Sequence, residues 1–324
     1  MLKMNFKIGF ITANGKKFRC DVVHSVEIEK NVENLADTCL ITLPGSRFNA
    51  PLFLPSEIKR GTEVKVFLGY NDELKEEFRG YVKEVLSNNG AITVECEDAL
   101  FLFRKSVKNE QFASIELKEI AEKLCSQVDS SYKVICDYGI VYEKFTINDA
   151  TAYDVLKKLQ EDTSANVWFD TINKTLHIHQ AYVEKGGEVK YSMHRNIESS
   201  SLEYRSAQDK KVEVIIETTD KNGKVQQVTS GTTGGDKITK KIGNISPSHA
   251  KEIADSELKL HLFDGYKGSF TSWLIPYIEP TYTAEIIDQE YPEKTGKYYV
   301  VSVKTSFSPS GGVRTIETGI KLSV

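Results

Sequence analysis

Apolar residues in this sequence come in short alternating runs, and each run stops at tight-turn residues. Residues 62–70 alternate as Val64, Val66, Leu68. Residues 78–86 and 92–96 flank Ser87-Asn88-Asn89-Gly90, and Asn-Gly between two such runs is a strong hairpin signal. Residues 6–12 and 16–20 flank Ala13-Asn14-Gly15, residues 25–29 carry Val26 and Ile28, and residues 38–43 end at Pro44-Gly45-Ser46. A side-chain period of two with frequent turns restricts this part to antiparallel sheet. Six or seven short strands without a long helix predict a small sandwich or barrel over residues 1–105.

The pattern changes over residues 106–196. Leu117, Ile120, Ala121, Leu124 and Val128 recur at helical spacing, with Ser114 as the expected cap. Thr151 and Asp154 predict a capping box before Val155, Leu156 and Leu159. Strand-like runs at 133–136, 166–169 and 175–179, the last two turning at Asn173-Lys174, complete a small α+β domain. Residues 197–324 return to β. A hairpin is expected around Asp220-Lys221-Asn222-Gly223, a Gly/Thr-rich mobile loop over 230–237, and one helix starting at Ser246-Pro247. The two β parts echo each other. Gly80-Tyr81-Val82-Lys83-Glu84-Val85, a Gly turn and a returning strand recur as Tyr298-Tyr299-Val300-Val301-Ser302-Val303, Gly311-Gly312 and a returning strand, which points to a duplicated β module. The expected fold class is mainly β with an α+β middle: two related β-barrel modules flank a small α+β domain.

Composition narrows the function classes. With 324 residues and 40% hydrophobic content the chain holds real cores, and two or three domains are expected. The 42 Lys+Arg against 46 Asp+Glu give a net charge of −4, without the basic excess of a nucleic-acid binder. No apolar run reaches the ~18 residues of a membrane helix, and the N-terminus does not read as a signal peptide. Cys20, Cys39, Cys96, Cys125 and Cys136 are scattered, odd in number and lack CxxC, so buried thiols in a reducing compartment are expected.

Several constellations carry residue types capable of chemistry. His177 and His179 share one strand face, where a metal would need further ligands from Asp170, Glu184 or His194; a solvated face is the plainer reading. The stretch 231–237 resembles a phosphate loop, but Asp236 and Ile238 stand where glycine and a hydroxyl belong. Glu95 and Glu97 could form a glycosidase pair, against a solvated cluster near Arg104 and Lys105. The tyrosine-rich stretch from Tyr277 to Tyr299 lies among acidic residues, which fits sheet propensity or protein interfaces better than base stacking. Trp168 and Trp273 fall in expected strands and are expected to be buried, which argues against a sugar-binding surface. No catalytic residue, cofactor or metal is expected.

The module carrying Gly69, Tyr70, Phe78, Gly80, Tyr81 and Val82, the capped helix before 166–169, and the closing phrase with Tyr298 and Val300 resemble the baseplate hub proteins of contractile tails. These include phage late control protein D, the Mu-like tail hub and the N-terminal part of type VI secretion spike proteins. The resemblance implies a non-enzymatic subunit of a homotrimeric ring with a central channel, in which six related barrels join a three-fold spike to a six-fold tail tube. It implies partners in the tail tube protein, a separate spike protein and tape-measure or other baseplate proteins, with no membrane span and no sequence-specific nucleic-acid binding. The place implied is the baseplate of a virion or injection particle assembled in the bacterial cytoplasm. The chain stops at Val324 just after the second module, so the spike would be another polypeptide. Within this reading residues 220–237 would be either an adhesive arm to a neighbour or a disordered surface loop; the alternatives are a receptor- or carbohydrate-binding tail component and a cell-wall glycosidase using Glu95 and Glu97.

Overall fold

A computed structural model of the chain describes residues 3–47, 50–51, 57–88, 90–182, 186–219 and 223–322. The first module contains β1 (Met4–Ile11), β2 (Lys17–Cys20), β3 (Ser25–Asn31), β4 (Thr38–Pro44), β5 (Glu63–Tyr70), β6 (Glu73–Asn88) and β7 (Ala91–Glu97). They pair antiparallel in the order β3-β4-β7-β6-β5-β1-β2. One face of all seven strands, with Ile8, Phe10, Cys20, Ile28, Ile41, Val66, Val82 and Val94, forms a single buried core. A sheet whose strands all bury one face in a common cluster must curl around it. Each such side chain contributes about 1.5–3 kcal/mol relative to exposure. β6 is longer than its apolar run because its first half pairs with β5 and its second with β7.

The middle part packs α1 (Leu117–Val128) and α2 (Ala152–Thr163) on the strands β8 (Lys133–Cys136), β9 (Val141–Ile147), β10 (Asn166–Asp170) and β11 (Thr175–His179). α2 starts with the expected capping box: Asp154 N–H donates to Thr151 Oγ1 (3.2 Å) and Thr151 N–H to Asp154 Oδ2 (2.9 Å). α1 does not start at Ser114. Ile115 and Glu116 still pair with β9, so the helix begins after them, with Glu116 and Glu119 as the box.

The second module contains β12 (Glu188–Ser192), β13 (Ser199–Ser200) and β14 (Glu203–Arg205). An excursion of β15 (Val212–Thr219), β16 (Val225–Gly231), β17 (Asp236–Lys241) and α3 (Pro247–His261) follows. The module then continues with β18 (Gly265–Trp273), β19 (Thr283–Ile287), β20 (Gly296–Ser308) and β21 (Gly311–Leu322). Ser246 caps α3 with Pro247 at its first position, as expected. The stretch 230–237 is not a free loop. β16 and β17 flank β15 on either side, and positive φ at Gly231 and Gly234 lets the chain turn between them. Residues 220–222 lie outside the described residues. Val212, Val214, Ile216, Ile253 and Ala254 share the core of Leu117, Leu124 and Leu156, so β15 and α3 fold onto the middle part and are not a projecting arm.

The second module repeats six of these strands in the same order, β13/β14-β18-β21-β20-β19-β12; it has no strand in the place of β2, and β12 runs parallel to β19 where β1 is antiparallel to β5. Both long hairpins carry a bulge at the same point. Val82 and Glu84 oppose Cys96 and Glu95, and Val300 and Ser302 oppose Thr318 and Glu317. The corner beside it also repeats. Gly61 N–H donates to Val82 O and Val82 N–H to Thr62 O (both 2.8 Å), while Thr281 N–H donates to Val300 O and Val300 N–H to Tyr282 O (both 2.9 Å). Gly61 (φ 85) and Thr281 (φ 74) both occupy left-handed backbone there, a conformation unusual for a β-branched residue. The sequence echo at 80–85 and 298–303 is therefore a repeat of backbone geometry.

Candidate assembly surface

The two modules are joined strand to strand. β3 of the first pairs antiparallel with the second half of β20, from Val26↔Phe307 to Asn31↔Ser302, which makes one fourteen-stranded sheet. On its exposed face Lys304 pairs with Glu27 (3.4 Å). A buried ion pair locks the joint from inside. Arg314 on β21 donates to both carboxylate oxygens of Glu77 on β6 (2.9 and 2.5 Å), to Thr305 Oγ1 (2.9 Å) and to Leu274 O (3.1 Å). The two side chains are only 2–3% exposed.

Beside this pair lies a cavity of about 380 Å³ where the first module, the β10–β11 hairpin and the 279–281 loop meet. Asp37 accepts the Asn31 N–H (3.1 Å), Asp98 accepts the Leu100 N–H (2.9 Å), and Asp98 N–H donates to Asp37 O (3.0 Å). Burial pushes the Asp37 carboxyl up to about 6 against the pull of Lys30. Burial, then the Asp37 charge, pushes Asp98 well above the carboxylate range. Both groups hold protons more tightly folded than unfolded. Their stabilisation is complete below the ordinary value of 3.8 and is lost as pH rises through about 6 and beyond. Asp98→Asn keeps an acceptor for Leu100. It should match the native chain near pH 4 and exceed its unfolding free energy at pH 7.5. Urea titrations at the two pH values check this, and parallel shifts of both chains would refute it.

Gly69 pairs with Asn5 and Leu74, and Tyr70 with Met4 and Glu73. Phe78 and Val82 are in the first core, Tyr81 stacks on Phe101 (5.7 Å), and Gly80 packs its Cα side on the Glu97 carbonyl. Tyr298 and Val300 occupy the matching places in the second core. Glu97 is buried and held bidentate by Arg104 (2.7 and 2.5 Å), so it is not part of a solvated cluster; Glu95 lies opposite Leu40 and Glu84. His177 and His179 do share a face, but that face is not solvated. His179 is buried, its Nε2 is 3.1 Å from His177 Nδ1 and its Nδ1 is 2.9 Å from Asp137, and Trp168 stacks flat on His177 (4.9 Å). The nitrogens point along a chain and do not converge. Among the described residues no three His, Cys, Asp or Glu are grouped to hold a metal, Asp170 bonds Asn173, and Glu184 lies outside the described residues. The 232–235 turn leads into β17 and not into a helix, so the phosphate-loop geometry is absent there. Trp168 is half-buried, but Trp273 is 52% exposed because it ends β18 at the module rim, contrary to expectation. Four cysteines are buried and Cys136 is half-buried, and all are free thiols; burial raises each of them. Arg314 and Glu77 escaped the sequence reading. The available signal was phase, since Arg314 alternates in step with inward-facing Ile316 and Thr318.

The fold is shared with solved tail proteins. The tail protein from Neisseria meningitidis MC58 is 13% identical over 98% of this chain and 96% of its own, with a TM-score of 0.68. The 43 kDa tail protein of prophage MuSo2 from Shewanella oneidensis is 18% identical over 96% and 97%, with a TM-score of 0.64. The E. coli c3393 protein, a type VI secretion system component described as similar to the T4 tail proteins gp27 and gp5, is 12% identical over 98% and 77%, with a TM-score of 0.63. No curated protein matches the sequence. A YQBQ-like family model matches residues 26–226, more than half of the chain, and the chain therefore belongs to the YQBQ-like family.

Proposed function

We propose that this chain is a structural, non-enzymatic hub subunit of a phage tail or related injection particle, and that three copies close into a ring around a channel. The carrying observation is the duplicated module joined to its twin edge to edge through β3 and β20. Two related modules per chain give six quasi-equivalent modules in a trimer, which lets a three-fold spike meet a six-fold tube. The solved relatives support a place in a tail, and one of them is a VgrG complex from Francisella that covers this fold. The reading includes a tail tube protein on one side of the ring and a separate spike protein on the other, with the family-like residues Gly69 to Val82 and Tyr298–Val300 holding the modules in shape. Light scattering on the purified protein should give three copies of the 36.5 kDa chain, with negative-stain images showing a ring with a central hole. A stable dimer or an elongated fibre would overturn this.

A further inference from the structure

The internal repeat assigns a second seam, this time between copies. β20 accepts β3 along residues 302–307. The bulge alignment makes Glu84–Asn88 of β6 the counterpart of residues 302–306. Among the described residues that stretch pairs only with β7; on its other edge Arg60 Nη1 donates to Lys83 O (3.0 Å), and no strand lies beside residues 84–88. The counterpart of β3 in the second module is equally well defined. β3 pairs Val26 with Ile41 and Glu29 with Thr38, while residues 200 and 203 pair with Phe270 and Lys267 on β18. Ile41 opposes Val94 and Phe270 opposes Ile316, which are matching positions, so residues 199–205 repeat residues 25–31 residue for residue. Their outer edge also has no strand beside it among the described residues.

We propose that residues 201–205 of one copy pair antiparallel with residues 84–88 of the next, in the register of the β3–β20 joint. This rests on the ring reading above and names its contact. Transferring the register places Arg205 opposite Glu84, Tyr204 opposite Val85, Glu203 opposite Leu86, Leu202 opposite Ser87 and Ser201 opposite Asn88. The charges fit at the Arg205–Glu84 level. Glu84 faces Glu95 across β6 and β7, a like-charge pairing that an incoming Arg205 relieves. Among the described residues Arg205 meanwhile pairs with its own neighbour Glu203 (3.4 Å) on the surface. Leu86 and Tyr204, 42% and 40% exposed, both lie on this seam and become covered by it. Exposed strand edges are templates for a further strand. Donor and acceptor edges are different surfaces, so the contact is head-to-tail, which gives a ring where the rotation closes and not a two-fold dimer. The inter-copy seam also lacks the inner lock: Ile92 stands where the second module has Arg314, so this joint can open while the intrachain one stays shut.

The test is the double variant Leu86→Cys/Glu203→Cys in the full chain. Mild oxidation should convert it to covalent trimers on a non-reducing gel, while either single variant should not. Glu84→Arg should weaken association roughly tenfold, and Glu84→Arg/Arg205→Glu should restore it. A trimer by light scattering that forms no disulfide and shows no charge-swap rescue overturns the seam and leaves the ring intact. A chain that is monomeric at every concentration and forms no cross-link overturns both.

Discussion

Replacing Arg314 by methionine is expected to cost about 3–5 kcal/mol of unfolding free energy, because it leaves the buried Glu77 carboxylate without its cation. Glu77 is 3% exposed and both its oxygens point at the guanidinium. The same change also orphans Leu274 O and Thr305 Oγ1 and removes the cation lying 4.9 Å from the Tyr277 ring centre. Glu77→Gln should cost less, since its amide still meets one arm of the guanidinium. Glu77→Met/Arg314→Met should recover most of the loss, because no buried charge is then left alone. Urea denaturation of the three variants measures this, and a single-variant loss below about 1 kcal/mol would show that the pair is not load-carrying at the joint. The pair links residues 237 positions apart, so it fixes the register of two modules that have no short covalent tie. Its loss should also broaden the transition, as the modules cease to unfold together.

Local chemistry made much of this legible in advance. Asn-Gly turns, alternating runs, the Thr151–Asp154 box and Ser246-Pro247 are signals that need no partner, and the elements they mark are present, although the last hairpin turns at Pro309-Ser310 and the expected turn residues Gly311 and Gly312 already pair in β21. The repeated phrase also survived because a bulge and its corner recur in the backbone itself. What was not legible depended on distant partners. Ser114 lost the cap to Glu116 because β9 pulls residues 115 and 116 into a strand. The 230–237 stretch is ordered by β15, which it must meet in space. His179 is buried by surroundings that its own strand does not reveal. Residues 199–205 are too polar to read as a strand, although they repeat β3 in register, and the assembly seam rests on them.

Gly80→Ala should cost about 2–3 kcal/mol, near the upper end for overpacking. The glycine is not there for an unusual φ. It sits one residue before Tyr81, where β6 presses on β7, and a methyl at this point would overlap the Glu97 carbonyl oxygen and lie 2.8 Å from the Phe78 ring and 2.9 Å from the Glu97 carbonyl carbon. None of these can yield cheaply. Phe78 is in the core, and the Glu97 side chain is held by Arg104 at both oxygens. Tyr298 fills the matching place in the second module opposite Ala284, where the first has Val64 opposite Gly80, so each pairing accommodates bulk on one side only. Gly139→Ala is the control, since a Cβ there meets nothing within 4 Å; it should change stability little. The strain at Gly80 is transmitted locally, because the bulge between Val82 and Glu84 sets the direction of residues 84–88. Gly80→Ala should therefore weaken self-association by more than its stability loss accounts for, read by light scattering at a temperature where the variant is still folded. Unchanged association in a destabilised variant would show that the bulge tolerates the shift and that the open edge is set elsewhere.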